Sequence, residues 1–416
     1  MAKILAYGYP SDWNFGGPSI ILGFRELVRT CCPDDEMVCY ESARLTPSVV
    51  SGYDFKTRRF PYRSMFSFWK DWLLWRMFGR LPPGAERREF WLDFAESRVV
   101  VNLFGICFCS GVGKVKWPVS LSALNALLGR FSPSLAARLS RKRSVKSTCS
   151  YGPATRKFEK KCARWASRFF FDAMVAREEE SRRALLELTR GRVDAPVAPD
   201  VANLMPVPES AREDDLVGLV VSYKMEQEWK RTDASYIDSM AALVRHAHGR
   251  HGCRVALIPN QDGTLDGRRL KRGDTDVARD ILARLSGTDG VVLFETLGRA
   301  ALDTKAAIAR CAVIVSPRYH SCVAALSAGV PLLTLGWHDK YAELTTLYGQ
   351  ERWMRRAEDC SVEELVRAFD SLFAGRVMVA AEISARAAAV RDAVVASGRL
   401  MLADRSNKDN DKGNTR

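Results

Sequence analysis

Arg318 and His320 stand two residues apart just after an apolar run, and together they could hold an anion and move a proton. The run CAVIVS (311–316) has the continuous apolar character of a strand buried on both faces. Ser316 is a favourable helix N-cap and Pro317 fits the first helical position, so Arg318, Tyr319 and His320 are expected in a first helical turn. A helix start offers unpaired N–H groups and the positive end of a dipole, both of which favour phosphate or carboxylate. Arg318 adds a planar, permanently charged fork, and His320 a group that exchanges a proton near neutral pH. Taken singly, an arginine in a first turn is usually a solvated charge and a lone histidine is usually structural. Their pairing at a strand-to-helix junction, in a chain with five histidines, gives the site reading its weight.

The elements that must position this pair alternate between strand and helix. In the first half, residues 3–9 (KILAYGY) form a strand, SDWNFGG a turn, and residues 18–28 a helix; strands follow at 38–40 and 98–104. The stretch 157–188 has helical character, with a basic first part. Residues 193–215 turn proline-rich and then acidic, which marks a domain boundary. Beyond it, strands at 216–222, 254–259, 291–295, 312–316 and 331–335 alternate with helices at 233–248, 274–286, 301–310 and 318–328. Such alternation, with continuous apolar runs in the strands, predicts parallel sheets covered by helices. The expected organisation is two facing wound α/β domains, 1–205 and 206–375, then a helix at 376–403 and a disordered tail at 404–416. In such folds ligands bind at the carboxyl edge of the sheet, where Arg318 and His320 would sit.

Composition narrows the class without choosing a substrate. The chain has 416 residues, more than one hydrophobic core usually serves, and 47% of them are hydrophobic. Lys and Arg outnumber Asp and Glu by 63 to 49, for a formal charge of +14, which favours anionic partners. No nucleic-acid-binding motif accompanies that charge, so nucleic acid is not an expected partner. Cys107, Cys109, Cys311 and Cys322, among eleven cysteines, lie in or beside apolar runs, and no paired C-x-x-C motifs exist. Reduced thiols and no metal centre are the expectation. The first residues, MAKILAYGYP, lack the apolar core of a signal peptide, and no stretch is long enough to span a bilayer. A cytoplasmic protein is expected, with contact at the inner face of the membrane left open.

The sequence resembles the polysaccharide pyruvyl transferase family. Its C-terminal signature, an Arg-x-His followed by an apolar helix, a Gly-x-Pro strand and an aspartate–lysine pair, is matched by Arg318-Tyr319-His320, Gly329-Val330-Pro331 and His338-Asp339-Lys340. Upstream, VAREEESRRALLEL (175–188) resembles the Arg-Asp-x-x-Ser element through Arg177 and Ser181, with Glu178 in place of aspartate. APD (198–200), IPNQDG, DTD (274–276) and Lys305 also fit, and DWNFGGPSIILG resembles the N-terminal asparagine–glycine loop with Asn14, Gly16 and Gly17. Where the family often shows a Gly-Gly pair, this chain reads Asn102-Leu103-Phe104-Gly105.

The resemblance implies two facing Rossmann-like domains of the glycosyltransferase-B type, the first on the acceptor side and the second on the donor side. It also implies transfer of pyruvate from phosphoenolpyruvate to saccharide hydroxyls as a ketal, without a cofactor. His320 would be the catalytic proton carrier. Arg318, Arg177, Tyr319 and Lys340 would bind the donor, with His338, Lys305, Asn14, Gly16 and Gly17 as further candidates. Each has a plainer alternative: His338 and Lys340 can be surface loop, and Arg177 can join solvated ion pairs. Two rival functions share the architecture, a nucleotide-sugar glycosyltransferase and a non-catalytic membrane-associated binding protein.

One segment stands outside this scheme. Residues 62–78, YRSMFSFWKDWLLWRMF, carry three tryptophans and three phenylalanines broken by Lys70, Asp71 and Arg76. Such a helix suits a bilayer interface beside a lipid-linked acceptor, or burial against the first domain. Apolar residues on nearly every face favour burial.

Overall fold

A computed structural model describes residues 2–8, 14–41, 53–108, 121–154, 157–229, 234–261, 264–265, 268–269, 272–285, 287–294, 300–356 and 360–403. Seven parallel strands build the first sheet: β1 (Lys3–Gly8), β2 (Glu36–Glu41), β3 (Lys56–Arg59), β4 (Ser97–Asn102), β5 (Ile106–Cys107), β6 (Arg143–Tyr151) and β7 (Ala173–Ala176). Their order is β3-β2-β1-β4-β6, with β5 and β7 both paired to β6. The alternation of β1 shows how this sheet is covered. Ile4 and Ala6 face the core that includes helix α1 (Gly16–Cys31). Leu5 and Tyr7 face the opposite core, filled by α2 (Met65–Phe78), α3 (Ala85–Glu96) and α4 (Leu121–Leu139).

The second sheet holds β8 (Glu213–Val221), β9 (Arg254–Pro259), β10 (Val291–Leu293), β11 (Cys311–Ser316), β12 (Leu332–Gly336) and β13 (Met354–Arg356), in the order β10-β9-β8-β11-β12-β13. All its pairs are parallel. In both sheets the order reverses beside the first strand, between β1 and β4 and between β8 and β11. These are the switch points where crevices open at the strands' carboxyl ends. The expected two-sheet Rossmann-like architecture is what the chain adopts.

Several expected boundaries shift. The stretch 157–188 is two helices, α5 (Lys157–Phe169) and α6 (Glu179–Thr189), separated by β7. Met174, Val175 and Ala176 are buried there, so sheet pairing overrides the helical character on either side. Helix α1 starts at Gly16 rather than at Pro18, whose missing N–H is tolerated because it still lies within the first turn. In the second half, α7 (Tyr223–Glu228), α8 (Tyr236–His251), α9 (Asp274–Arg284), α10 (Ala301–Arg310) and α11 (Tyr319–Ser327) cover the sheet with α12 (Lys340–Leu347) and α13 (Val362–Ala374). The 404–416 segment and Cys109 lie outside the described residues; the described cysteines are free thiols.

The halves are tied at several places. The segment Val201–Leu204 packs against α1 so closely that a Cβ on Gly23 would lie 2.0 Å from the Val201 carbonyl oxygen. The long helix α14 (Arg376–Leu402) ends against the first sheet, where Arg98 and Arg143 donate to the carbonyls of Leu402, Met401 and Leu400. These cations satisfy carbonyls left free at the helix end. On α12, Glu343 accepts the amides of Glu179 and Glu180 at 2.8 and 3.2 Å, capping the start of α6 from the other half. The aromatic segment forms α2, which buries Met65 and Phe68 while Phe66, Leu73, Met77 and Phe78 stay exposed. Among the described residues no helix is long and apolar enough to cross a membrane.

Candidate active site between the two sheets

The carboxyl edges of the sheets face each other across a cleft of about 560 Å³. Loops after β8, β9, β11 and β12 bring Ser222, Asn260, Arg318 and Trp337 to one wall; Asn14, Gly17 and Gly105 lie on the other. The junction after β11 differs in detail from the expected one. Arg318, not Ser316, is the helix N-cap, and α11 begins at Tyr319. The Ser316 hydroxyl instead accepts the Arg318 amide at 3.1 Å, a local turn that uses up the capping oxygen one step early. Arg318 therefore sits on extended backbone, and Tyr319 and His320 occupy the first turn.

Arg318 reaches across to Asp274, a fully buried carboxylate at the start of α9. Asp274 also accepts the amides of Tyr223 (2.8 Å) and Asn260 (3.3 Å), so three loops of the second half converge on it. The Arg318 Nε is buried with no hydrogen-bond partner among the described residues. Asn260 is in a similar state: its Nδ2 donates to Ser321 at 2.6 Å while its Oδ1 has no partner among them.

His320 lies 3.5 Å from Asp200 across the cleft floor, through Nε2 and Oδ2, and its side chain is 20% exposed. Burial lowers the imidazole's pKa below the ordinary 6.5, with Arg177 and Lys340 acting in the same sense and Asp200 opposing. The ring is therefore neutral near pH 7. Burial would raise the Asp200 carboxyl, but His320 and Arg177 outweigh it and hold the group well below the usual carboxylate range. A neutral imidazole beside a fixed carboxylate can accept a proton and be steadied once charged.

Arg177 lines the same cleft, but its guanidinium is engaged. It donates to Glu178 (2.6 Å), Asp200 (2.7 Å) and Ser150 (2.5 Å), and it stacks over the Tyr319 ring at 4.2 Å. Glu178 in turn accepts from Ser150 and Ser181, a set of bonds that a shorter aspartate would have to span differently. Burial works against the Glu178 charge, yet Arg177 and the two serines bring its pKa below the ordinary value. Arg177 thus holds Tyr319 and Asp200, and through them His320.

The first half contributes room. A Cβ on Gly16 would sit 2.6 Å from the His320 Nδ1, so only glycine lets α1 approach the imidazole this closely. The Gly17 amide donates to Asn14 at 3.0 Å, and the Phe15 amide to the Asn260 carbonyl at 3.0 Å, which closes this loop onto the second half. Gly105 is brought to the wall by the loop after β4, whose carbonyls at Asn102 and Phe104 accept from the buried Lys146.

A sequence profile for polysaccharide pyruvyl transferases matches residues 53–339. The chain belongs to the polysaccharide pyruvyl transferase family. No curated protein matches it. Its fold is shared with glycosyltransferase-B-like enzymes at low identity. The UDP-GlcNAc 2-epimerase of Neisseria meningitidis, solved bound to UDP-GlcNAc, has 10% identity and a TM-score of 0.57, over 96% of this chain and 99% of that one. Anabaena Alr3699/HepE, solved in complex with UDP-glucose, has 12% identity and a TM-score of 0.56, over 96% and 98%. A glycosyltransferase from Rickettsia africae has 11% identity and a TM-score of 0.52, over 99% and 98%.

Within this family member the sequence-predicted residues separate into two groups. Arg318, Tyr319, His320, Lys340, Arg177, Asn14, Gly16 and Gly17 all line the cleft. Lys340 holds its ammonium among three rings, 5.1 Å from Trp337, 5.5 Å from Tyr341 and 5.6 Å from Tyr319. His338 and Lys305 are elsewhere. His338 is exposed, and its Nδ1 accepts the Lys340 amide at 3.3 Å at the start of α12. Lys305 is fully buried, donating to the Met205 carbonyl (2.5 Å) and Ser327 (3.0 Å), and burial brings its pKa down to about 7. It fastens the inter-sheet linker to α11.

Residues that carried no assigned role prove central. Asp200 and Asp274 stood in motifs matching the family, yet only their three-dimensional placement shows that they hold His320 and Arg318. Arg130 lines the cleft from α4 and had no sequence signal. One cluster with metal-ligand spacing exists among the described residues, His246, His251 and Asp370. It lies where α8 ends before β9 begins, at the sheet edge opposite the cleft.

Proposed function

We propose that the protein transfers the pyruvyl group of phosphoenolpyruvate onto two hydroxyls of a saccharide, forming a cyclic ketal and releasing inorganic phosphate. The observation that carries this reading is a single juxtaposition in a pyruvyl transferase family member: a neutral imidazole, His320, flanked in one cleft by Arg318 and Lys340. Phosphoenolpyruvate bears a phosphate and a carboxylate, so it needs at least two cationic or N–H-rich contacts. Arg318 with the start of α11 supplies one, and Lys340 the other.

In this reading the first hydroxyl oxygen bonds to the central enol carbon while the methylene carbon takes up a proton and becomes a methyl group. The second hydroxyl then bonds to the same carbon as phosphate leaves with its oxygen. His320 accepts the proton of an attacking hydroxyl, and Asp200 stabilises the imidazolium that results. Lys340 stays beside the departing phosphate. Arg177 positions Tyr319 and Asp200, and the glycines of the first half leave space for the acceptor. That acceptor is a cell-surface polysaccharide or its precursor, free or carried on a lipid.

Nucleotide-sugar glycosyl transfer is the second reading, favoured by the UDP-sugars bound in neighbours of the same architecture. Thermal melting with phosphoenolpyruvate and with a panel of UDP-sugars separates the two. Phosphoenolpyruvate should raise the melting temperature, and mass spectrometry should then find pyruvylated glycan with stoichiometric phosphate. Stabilisation by a UDP-sugar alone would reverse the assignment. Binding of phosphoenolpyruvate without phosphate release from any glycan tested would leave a binding protein.

A further inference from the structure

The first half carries an apolar surface that the cleft does not use. On α2, Phe66, Leu73 and Met77 recur at i, i+7 and i+11 on one helix face, and Phe78 follows at its end. Phe66 is 81% exposed, Met77 62% and Phe78 63%. The opposite face already fills the core: Phe68 packs on Trp91 with ring centroids 5.3 Å apart, and Trp75 stacks on Trp91 at 5.5 Å. Isolated exposed apolar residues are ordinary, but a contiguous set marks a surface that meets something.

A second helix repeats the pattern. Helix α5 exposes Trp165 (54%) and Phe169 beside an open groove of about 530 Å³ rimmed by Lys161, Arg168 and Arg192. Both helices lean on α4. The Trp72 indole of α2 donates to Ser140 just past the end of α4, at 3.1 Å. Ala166 and Phe170, in and just after α5, share a core with Phe131 of α4.

Charge identifies the occupant. Lys70, Arg76 and Arg80 are exposed around the α2 patch, while the one acid of α2, Asp71, is buried and accepts the Tyr62 hydroxyl at 2.8 Å. Helix α5 has five basic residues against one acidic. Two copies of this face would press like charges together, whereas an anionic surface would neutralise them. We infer that α2 and α5 dock the protein on an anionic lipid bilayer, with Phe66, Met77, Phe78 and Trp165 entering the headgroup boundary and the basic residues meeting the headgroups. The helices lie on the membrane and do not cross it. The docking does not depend on which donor the cleft binds.

Sedimentation of the full chain with vesicles tests this directly. Vesicles of equal parts phosphatidylcholine and phosphatidylglycerol should carry down at least ten-fold more protein than pure phosphatidylcholine. Binding should fall sharply at ~1 M salt, where the Debye length is about 3 Å. The pair Phe66→Glu and Met77→Glu should abolish it, and Lys70→Glu with Arg76→Glu should weaken it several-fold, with circular dichroism and phosphoenolpyruvate-induced stabilisation as in the parent. Equal sedimentation with neutral and anionic vesicles, none with either, or full binding by the Phe66/Met77 variant would overturn the inference. So would a wild-type dimer that this variant converts to monomer without loss of vesicle binding, which would assign the face to a second copy.

Discussion

The two walls of the cleft solve opposite problems. The second half presents Arg318, His320 and Lys340 from helix starts after β11 and β12, side chains that can meet a charged donor and exchange a proton. The first half presents Gly16, Gly17 and Gly105 beside Arg130, and ties up the Arg177 guanidinium with Glu178 and Asp200. The two arginines make the contrast sharp. Each pairs with a buried aspartate, but the Arg318 Nε has no partner among the described residues, whereas Arg177 donates to two carboxylates and a hydroxyl. The same side chain keeps a donor free among the described residues in one place and is fully engaged in the other, and what differs is how many acceptors surround it.

The contrast breaks most readily at His320 and Arg177. His320→Ala should leave the melting temperature nearly unchanged and lower kcat by about 10²–10⁴, the usual contribution of a positioned proton carrier. Arg177→Met should do the reverse in kind: it strands Glu178 and Asp200 as buried, unpaired carboxylates and should cost about 3–5 kcal/mol in denaturant unfolding. A stable, inactive Arg177→Met, with phosphoenolpyruvate binding lost, would place this arginine on the donor and erase the distinction between the walls.

That distinction also governs what could be read in advance. The second half was legible because continuous apolar strands separated by helices leave few alternative foldings, and because Arg318 and His320 follow a strand at the edge where ligands bind. The start of α11 was misplaced by two residues because a serine hydroxyl can cap a helix or close a local turn, and sequence does not say which. Lys305 is a candidate through the family resemblance, and its burial is invisible in a one-dimensional pattern. For Arg177, a donor-binding candidate with solvated ion pairs as its alternative, the charge run EEESRR does not reveal its partners Ser150 and Asp200, which lie 27 and 23 positions away. The first wall was least legible, since a glycine's role there is set by what approaches it from the other sheet.

Gly16 tests that cross-wall contact at intermediate strength. Alanine there would place a methyl 2.6 Å from the His320 Nδ1, and the imidazole must swing aside while the α1 backbone can stay. Displacing a catalytic group by about 1 Å can cost 10²-fold in rate, so kcat of Gly16→Ala should fall roughly ten- to hundred-fold with a small change in melting temperature. Gly249→Ala, where nothing lies within 4 Å of the added methyl, is the control and should retain most activity.

The smallest effect concerns the pH at which the imidazole charges. In the proposed mechanism His320 acts as a base only when neutral, and burial lowers its pKa, so the acid limb of kcat/KM should have its midpoint below the ordinary 6.5. The neighbours set the direction of change. Asp200 raises this pKa, so Asp200→Asn should move the acid limb to still lower pH; Lys340 lowers it, so Lys340→Met should move the limb upward. Opposite displacements in the two variants, read from kcat/KM profiles, would tie the proton carrier to a carboxylate held from the first wall and an ammonium held from the second. An acid limb that stays fixed in both would mean that the titrating group lies elsewhere in the cleft.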